Sequence, residues 1–187
     1  GNAQVKTGST PSTLASVLEV RGDTPFFFDP RPVPHGDVRR HWYHSASLHA
    51  TRRLSVYTPP NYDRDSTTRY PVVYLLHGAN ADDEAWAHLG RVNLILDNLI
   101  ADGKSKPFIV VMPFGYGAPP GSQEQRTQNT ALFGKDLIED VLPFVQSHYR
   151  VSTTREERAL VGLSMGGGQA LSIGLNHLEL FSHVGGF

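Results

Sequence analysis

One short stretch combines a hydroxyl nucleophile with the residues that a sharp turn requires. Residues 162–166 read G-L-S-M-G, which fits the pattern G-x-S-x-G, and they follow a short apolar run at 159–161. In a strand–turn–helix context this pattern puts the serine on a strained bend, with its hydroxyl raised above the edge of a sheet. Glycine is needed on both sides because a Cβ atom at Gly162 or Gly166 would strike a neighbouring strand or helix. The pattern predicts that Ser164 is the nucleophile of an acyl-transfer reaction.

Attack by a serine creates a negatively charged oxygen, which backbone N–H groups can bind. The N–H of Met165 points to that oxygen, at the positive end of the helix that follows the serine. A second N–H normally comes from the loop after the first parallel strand. That loop begins with His77, Gly78 and Ala79. We therefore expect Ala79 and Met165 to form an oxyanion hole.

The alternative is a glycine-rich turn that holds an incidental serine. The sequence contains 18 glycines, so the bare pattern can arise by chance. The position of Ser164 after an apolar strand, a third consecutive glycine at Gly168 and the upstream turn at residues 77–79 favour the nucleophile.

A serine hydroxyl needs a base to remove its proton, usually a histidine that is oriented by a carboxylate. In hydrolases with this motif the order along the chain is serine, acid, histidine. The candidates after Ser164 are His177, Glu179 and His183, which lie in or beside the helix that leads away from the serine. We expect them to be surface or helix-end residues, and we expect the acid and the base on a segment that this sequence does not contain.

The hydrophobic pattern predicts the strands that position these residues. Residues 37–46 and 51–58 alternate in polarity, which predicts an antiparallel pair at a sheet edge. Near-continuous apolar runs at 70–76 and 108–112 alternate with helical patterns, which is typical of a parallel sheet with helices on both faces. The predicted fold class is therefore α/β. Ligand sites in such sheets gather at the carboxyl ends of the strands, where Ser164 also lies.

The segments between the strands hold two predicted helices and a long loop. The first helix carries apolar residues at helical spacing: Leu89, Val92, Leu96, Leu99 and Ile100. The acids at 82–84 are interpreted as first-turn charges that stabilise its N-terminus. Residues 113–130 lack apolar periodicity and predict a functional or mobile loop. The second helix runs through residues 133–145, with a kink expected at Pro143.

Aromatic and histidine residues give further candidates. Trp86 and Tyr116 could stack on a phenolic group or a sugar, or could simply pack in the core, and the pattern does not decide between these roles. Residues 26–28, three phenylalanines, are expected to pack onto a neighbour, with an exposed contact patch as the alternative. His41 and His44 are three residues apart on a strand and point to opposite sides, so no metal site is expected there.

Composition excludes several classes of function. The 187 residues are enough for one domain or for part of a larger one. The net charge of −1 gives no basic surface for nucleic acid. No apolar run approaches the roughly 18 residues that span a bilayer, so no membrane partner is expected. The absence of cysteine excludes disulfides, thiolate metal sites and a cysteine nucleophile.

Several motifs together resemble the esterase D family. They are P-H-G at 34–36, W-Y at 42–43, Y-T-P-P-N-Y at 57–62, Y-P-V-V-Y-L-L-H-G at 70–78, D-N-L-I-A at 97–101 and G-L-S-M-G-G at 162–167. The branch that the sequence resembles most is carbohydrate esterase family 1, which contains feruloyl and acetyl-xylan esterases. The resemblance covers residues 33–187.

This resemblance implies an α/β-hydrolase fold and cleavage of ester bonds on plant cell-wall polysaccharide, such as feruloyl or acetyl esters of xylan. It implies no metal and no cofactor, and a secreted or periplasmic location. Ser164 matches the family nucleophile, and Ala79 and Met165 match its oxyanion hole. The later aspartate and the Gly-His segment of the family have no counterpart here. Residues 33–187 are therefore expected to form the N-terminal two-thirds of an esterase domain.

Residues 1–32 are expected to be a linker or the tail of a preceding module, because the first 36 residues are rich in Gly, Pro, Ser and Thr. Residues 1–30 resemble the joint that follows an immunoglobulin-like module in some relatives. Two other readings of the function stay open. One is a siderophore esterase or an acyltransferase of the same superfamily. The other is a carbohydrate-binding remnant that kept the turn around Ser164 but lost catalysis.

Overall fold

The computed structural model describes residues 25–187, together with positions 4–6, 14–16, 18 and 22. Strands β1 (Gln4–Lys6) and β2 (Leu14–Ser16) pair antiparallel with each other. The expected linker at 1–32 falls largely outside the described residues, so that expectation and the immunoglobulin-like module before it stay predictions.

A six-stranded mixed sheet forms the centre of the described chain. Its strands are β3 (Asp37–Ser45), β4 (Ala50–Thr58), β5 (Val72–Leu76), β6 (Ile109–Pro113), β7 (Arg158–Gly162) and β8 (His183–Gly186). They lie in the order β3-β4-β6-β5-β7-β8. The pairs β3/β4 and β4/β6 are antiparallel, whereas β6/β5, β5/β7 and β7/β8 are parallel. This topology confirms the α/β prediction, including the antiparallel hairpin at one edge.

Helices connect the strands on both faces of the sheet. They are α1 (Ala85–His88), α2 (Val92–Ala101), α3 (Gln123–Lys135), a π-helical turn (Asp136–Val141), α4 (Leu142–His148) and α5 (Met165–Asn176). Short 3-10 turns occur at Tyr62–Arg64 and Arg155–Glu157. No helix in the part of the chain that the structure describes is long and apolar enough to cross a membrane.

The alternation of side chains along the strands divides the core into two layers. Tyr74 and Leu76 of β5 face one layer, which also contains buried residues of α3, α4 and α5. Val73 and Leu75 face the other layer, which is covered by α1 and α2. The central strands are apolar on both faces because helices cover both, as expected for parallel strands.

The helix predicted before residue 100 is divided into two pieces. Arg91 adopts φ 52°, in the left-handed region, so α1 ends and α2 starts afresh at Val92. Leu89 is 44% exposed rather than buried, because it lies in the connection between the two helices. The acids at 82–84 do not have the predicted role, because α1 has only four residues and no acid in its first turn. They form ion pairs with arginines of the β3–β4 hairpin instead: Glu84 with Arg40, and Asp82 and Asp83 with Arg53.

The predicted loop at 113–130 is shorter than expected, because α3 begins at Gln123. The Ser122 side chain caps this helix by accepting a hydrogen bond from the Gln125 N–H at 3.0 Å. The first turns of α3 are polar and largely exposed, so they show no apolar periodicity. Pro143, where a kink was expected, lies in the first turn of α4 directly after the π-helical turn. Proline has no N–H to donate, which agrees with irregular helix geometry just before it.

The prediction that residues 26–28 pack as an anchor is wrong for two of the three side chains. Phe26 and Phe27 are 42% and 71% exposed. Only Phe28 is partly buried, with the Arg91 guanidinium 5.1 Å from its ring centroid. Phe26 stacks on Phe28 with ring centroids 5.1 Å apart, so the aromatic run packs mainly on itself.

Candidate active site

The bend between β7 and α5 has the geometry of a strained turn. Ser164 adopts φ 53° and ψ −112°, a conformation that is rare for any residue with a side chain. Its N–H donates to the Phe187 carbonyl at 2.7 Å, and the Leu163 N–H donates to the Leu76 carbonyl at 3.1 Å. These backbone bonds connect the bend to β5 and to the residue that follows β8. The Ser164 side chain is exposed at the carboxyl edge of the sheet.

The two glycines around Ser164 are required by close backbone contacts. A Cβ atom at Gly162 would lie 2.4 Å from the Gly166 backbone. A Cβ atom at Gly166 would lie 2.6 Å from the His77 carbonyl oxygen. No larger residue fits at either position without movement of the backbone. The steric reason for the G-x-S-x-G pattern is therefore present in the structure.

The turn after β5 packs directly against this bend. A Cβ atom at Gly78 would lie 3.6 Å from the Ser164 Cβ atom. Ala79 follows in an exposed position, and Met165 is the first residue of α5. Neither the Ala79 N–H nor the Met165 N–H donates a backbone hydrogen bond within the described residues. Two N–H groups beside the serine are thus available to a bound oxygen, and their role as an oxyanion hole stays a prediction.

His77 is a structural residue of this turn, and this role was not predicted from the sequence. Its Nδ1 donates to the Gly78 carbonyl at 2.8 Å, and its Nε2 accepts from the Gly115 N–H at 2.9 Å. Burial lowers the pKa of His77, so the ring is neutral at neutral pH. An acceptor nitrogen at Nε2 requires this neutral form. His77 therefore connects the turn after β5 with the segment after β6.

The histidines after Ser164 do not contact its hydroxyl. His177 pairs through Nδ1 with Glu179 at 3.0 Å, and His183 contacts the Ser182 hydroxyl at 2.8 Å. Within residues 25–187, no imidazole lies within hydrogen-bond distance of the Ser164 Oγ atom. This placement agrees with the expected surface role of His177, Glu179 and His183.

The two aromatic candidates occupy different surroundings. Tyr116 is only 3% exposed, and its hydroxyl oxygen accepts a hydrogen bond from the Asn80 N–H at 2.7 Å. This position fits packing rather than stacking on a substrate. Trp86 in α1 is partly buried, and its ring lies edge-on to Phe187 with centroids 5.9 Å apart. Phe187 is 63% exposed, so this aromatic pair reaches the surface.

Two adjacent arginines of β4 hold the loops on this edge of the sheet, and neither role was predicted from the sequence. Arg52 donates to the Phe114 carbonyl at 2.7 Å and to the Tyr116 carbonyl, and it pairs with the buried Asp136. Arg53, on the other face, pairs with Asp83 at 2.5 Å and with Asp82 at 3.2 Å. One feature of the sequence could have indicated the role of Arg52. It is a charged residue on the same face of β4 as the apolar Leu54, so its charge needs a partner in the core.

A groove of about 680 Å³ lies on the same edge of the molecule. It runs between the β3–β4 turn and the segment after β6, and Trp42, Phe114 and Pro119 are among its lining residues. Because β4 is antiparallel to β6, its first residues lie beside the carboxyl end of β6. The groove therefore opens on the edge that carries Ser164.

The structure shows no arrangement that would hold a metal ion in its described part. No group of three or more His, Cys, Asp or Glu side chains with suitable geometry occurs among these residues. His41 packs against Phe144 and Tyr149, whereas His44 is exposed, so the two histidines do point apart as predicted.

Comparison with known proteins agrees with this architecture. The family model Esterase matches residues 45–187, which is most of the chain. The chain belongs to the Esterase family. It is 35% identical over 166 residues to an endo-1,4-beta-xylanase/feruloyl esterase of Xylanibacter ruminicola, in a match that covers 87% of this chain. The matched region is 23% of that relative's length.

Solved structures confirm the α/β-hydrolase fold and the resemblance to carbohydrate esterase family 1. A CE1 ferulic acid esterase from Anaeromyces mucronatus, in complex with ferulic acid, superposes with a TM-score of 0.78 at 29% identity. This match covers 91% of this chain and 65% of that one. A feruloyl esterase module from Clostridium thermocellum, complexed with sinapinate, gives a TM-score of 0.69 at 25% identity. There the coverage is 89% of this chain and 58% of the other.

Proposed function

We propose that this protein is a serine carboxylesterase that hydrolyses feruloyl or acetyl esters on plant cell-wall polysaccharide, with Ser164 as its nucleophile. The observation that carries the proposal is the bend at Ser164, where a strained, exposed serine lies beside two available N–H groups. Family membership supports ester hydrolysis. The names of the Xylanibacter and Anaeromyces proteins support feruloyl esters as the substrate class.

In the proposed reaction the Ser164 Oγ atom attacks the ester carbonyl carbon while a base takes its proton. The carbonyl oxygen becomes an oxyanion, which the N–H groups of Ala79 and Met165 bind. Removal of one such donor typically lowers kcat by about 100-fold to 1,000-fold. The tetrahedral intermediate collapses, the sugar hydroxyl leaves with a proton, and the acyl group stays on Ser164. Water then attacks this acyl-enzyme and releases the acid.

The proposal requires a base and an acid partner that the described histidines do not supply. His177 and His183 have other partners and make no contact with Ser164. We place the base and its carboxylate outside the part of the chain that the structure describes. Neither the proposed attack nor the proposed oxyanion contacts use a metal or a cofactor.

The surroundings of Ser164 favour a substrate with a bulky, extended leaving group. The serine lies at an open edge rather than at the bottom of a closed cavity, and the groove beside Phe114 extends along the same edge. The exposed Trp42, at 62%, and the Trp86–Phe187 pair offer apolar faces to a phenolic group or a sugar. A polysaccharide substrate further implies a secreted or periplasmic enzyme.

The test is a comparison of substrates with the full-length protein. We expect release of ferulate from feruloylated arabinoxylan, or of acetate from acetylated xylan, together with hydrolysis of short p-nitrophenyl esters. Ser164→Ala should lower kcat by roughly 10⁵-fold to 10⁶-fold. Hydrolysis of p-nitrophenyl esters without release from either polysaccharide would favour another esterase or an acyltransferase. Binding of xylan without any hydrolysis would favour the non-catalytic alternative.

A further inference from the structure

Residues 77–80, called the oxyanion turn because they contain the proposed donor Ala79, follow β5 and depend on a hydrogen bond to a side chain from the segment after β6. Asn80, directly after Ala79, adopts φ 64°, in the left-handed region that asparagine enters more readily than most other residues with a side chain. Its N–H donates to the Tyr116 hydroxyl oxygen at 2.7 Å. The chain reverses at this point, so the Tyr116 hydroxyl holds the peptide group that follows Ala79.

Tyr116 is itself held from several sides. Its ring lies 5.7 Å from the His77 ring and 5.4 Å from the Phe114 ring, centroid to centroid. Its carbonyl oxygen accepts a hydrogen bond from Arg52, which also donates to the Phe114 carbonyl at 2.7 Å. Arg52 is 8% exposed and pairs with the buried Asp136 at 3.1 Å. The guanidinium group thus has little freedom to move, and neither does the segment that it binds.

The residue before Tyr116 connects the same segment to the nucleophile side. The Gly115 N–H donates to His77 Nε2 at 2.9 Å, and the Gly115 carbonyl accepts from Gln169 Nε2 at 2.8 Å. Gln169 lies in α5, the helix that starts with Met165. Residues 114–116 therefore connect β4, the oxyanion turn and α5.

We propose that Tyr116 is a positioning residue that holds the Ala79 N–H in place for the oxyanion, and that Arg52 acts through Tyr116. This inference rests on the proposed function of Ser164. Preorganised N–H dipoles stabilise the transition state because they need no reorganisation when the charge develops. A displaced donor weakens binding of the oxyanion more than binding of the uncharged ester. Loss of the Tyr116 hydroxyl should therefore lower kcat and leave KM nearly unchanged.

The first test is Tyr116→Phe in the full-length protein, assayed with a soluble ester. The ring and its packing remain, and only the contact with Asn80 is lost. We expect kcat to fall by about tenfold, less than for complete removal of an oxyanion donor, with KM within about twofold of wild type. Affinity for a boronic acid, which forms a tetrahedral adduct at a serine, should fall in parallel with kcat.

The matched control is Tyr74→Phe. Like Tyr116, Tyr74 is buried, but it lies in β5 and its hydroxyl has no hydrogen-bond partner among the described residues. Removal of this hydroxyl should leave kcat at the wild-type value. A loss of stability in Tyr116→Phe at wild-type kcat would assign Tyr116 a purely structural role and overturn the inference.

The substitution Arg52→Lys gives a second test of the proposal. Lysine keeps the charge beside Asp136 but cannot reach both carbonyl oxygens in the same way. We expect a smaller loss of kcat than in Tyr116→Phe, and little further loss when the two substitutions are combined. Fully multiplicative effects would overturn the claim that Arg52 acts through Tyr116. An active wild type with unaffected Tyr116→Phe would refute this inference alone, whereas an inactive wild type would refute the proposed function as well.

Discussion

Two regions of the sheet build the candidate site by different means. In the nucleophile region, formed by β5, β7 and α5, backbone atoms and glycines hold the bend at Ser164. In the hairpin region, formed by β3, β4 and the π-helical turn, buried charged side chains hold the loops. The nucleophile region depends on close backbone contacts and the hairpin region on ion pairs. Each region is therefore sensitive to a different kind of substitution.

The largest effect is expected for the buried charge of the hairpin region. Asp136 is fully buried and accepts hydrogen bonds from Arg52 and from the Tyr43 hydroxyl. Asp136→Ala leaves the Arg52 charge without its partner, which should lower the free energy of unfolding by about 3–5 kcal/mol. The exposed pair Arg39–Asp63 is the control. Asp63→Ala should cost less than about 1 kcal/mol. Equal losses of unfolding free energy in the two variants, measured by urea denaturation, would show that burial does not determine how much a charge contributes to stability.

The next effect tests the backbone contacts of the nucleophile region. Gly166→Ala places a Cβ atom 2.6 Å from the His77 carbonyl oxygen, so the oxyanion turn or the bend must move. We expect a loss of about 3 kcal/mol in unfolding free energy and a loss of ester hydrolysis. Gly168→Ala is the control in the same helix, because a Cβ atom there has no neighbour within 4 Å. It should be neutral or stabilising by up to about 1 kcal/mol. Similar behaviour of the two variants would contradict the steric argument.

Two buried tyrosines, one in each region, sharpen the comparison further. The Tyr57 hydroxyl in β4 donates to the buried Asp97 at 2.7 Å, whereas the Tyr74 hydroxyl in β5 has no partner among the described residues. Tyr57→Phe should lower the unfolding free energy by about 2 kcal/mol, because the lost bond goes to a charged group. Tyr74→Phe should change it by less than about 1 kcal/mol. Thermal or urea unfolding of both variants measures the difference, and the opposite order would refute it.

The smallest effect concerns His77, the link between the two regions. Burial lowers its pKa from the usual value of 6.5, so below about pH 6.5 the unfolded chain binds a proton that the folded chain does not. The stabilising contribution is present above this pH and is lost as the pH falls towards the folded-state pKa. The slope is at most about 1.4 kcal/mol per pH unit. We expect His77→Gln to remove this part of the pH dependence, measured by urea denaturation between pH 5 and 7. An unchanged slope would refute the role of His77.

The same contrast explains how much could be predicted from the sequence. The bend at Ser164 and the parallel strands depend on neighbours in sequence, namely glycines and continuous apolar runs, and the structure has them where the pattern predicts. The contact partners of Arg52 are between 62 and 84 positions away from it in the sequence, so no local pattern could predict them. The break at Arg91 was missed because the left-handed conformation of one arginine leaves no trace in the spacing of apolar residues. The start of α3 was missed because its first turns are polar and largely exposed, so they carry no apolar periodicity.

Covalent labelling of the full-length protein with a fluorophosphonate probe, followed by peptide mapping, tests the central claim most directly. We expect one adduct, on Ser164, that is absent in Ser164→Ala and retained in His177→Ala and His183→Ala. An esterase-active protein that carries the label on another residue, or that hydrolyses esters equally well after Ser164→Ala, would contradict the account.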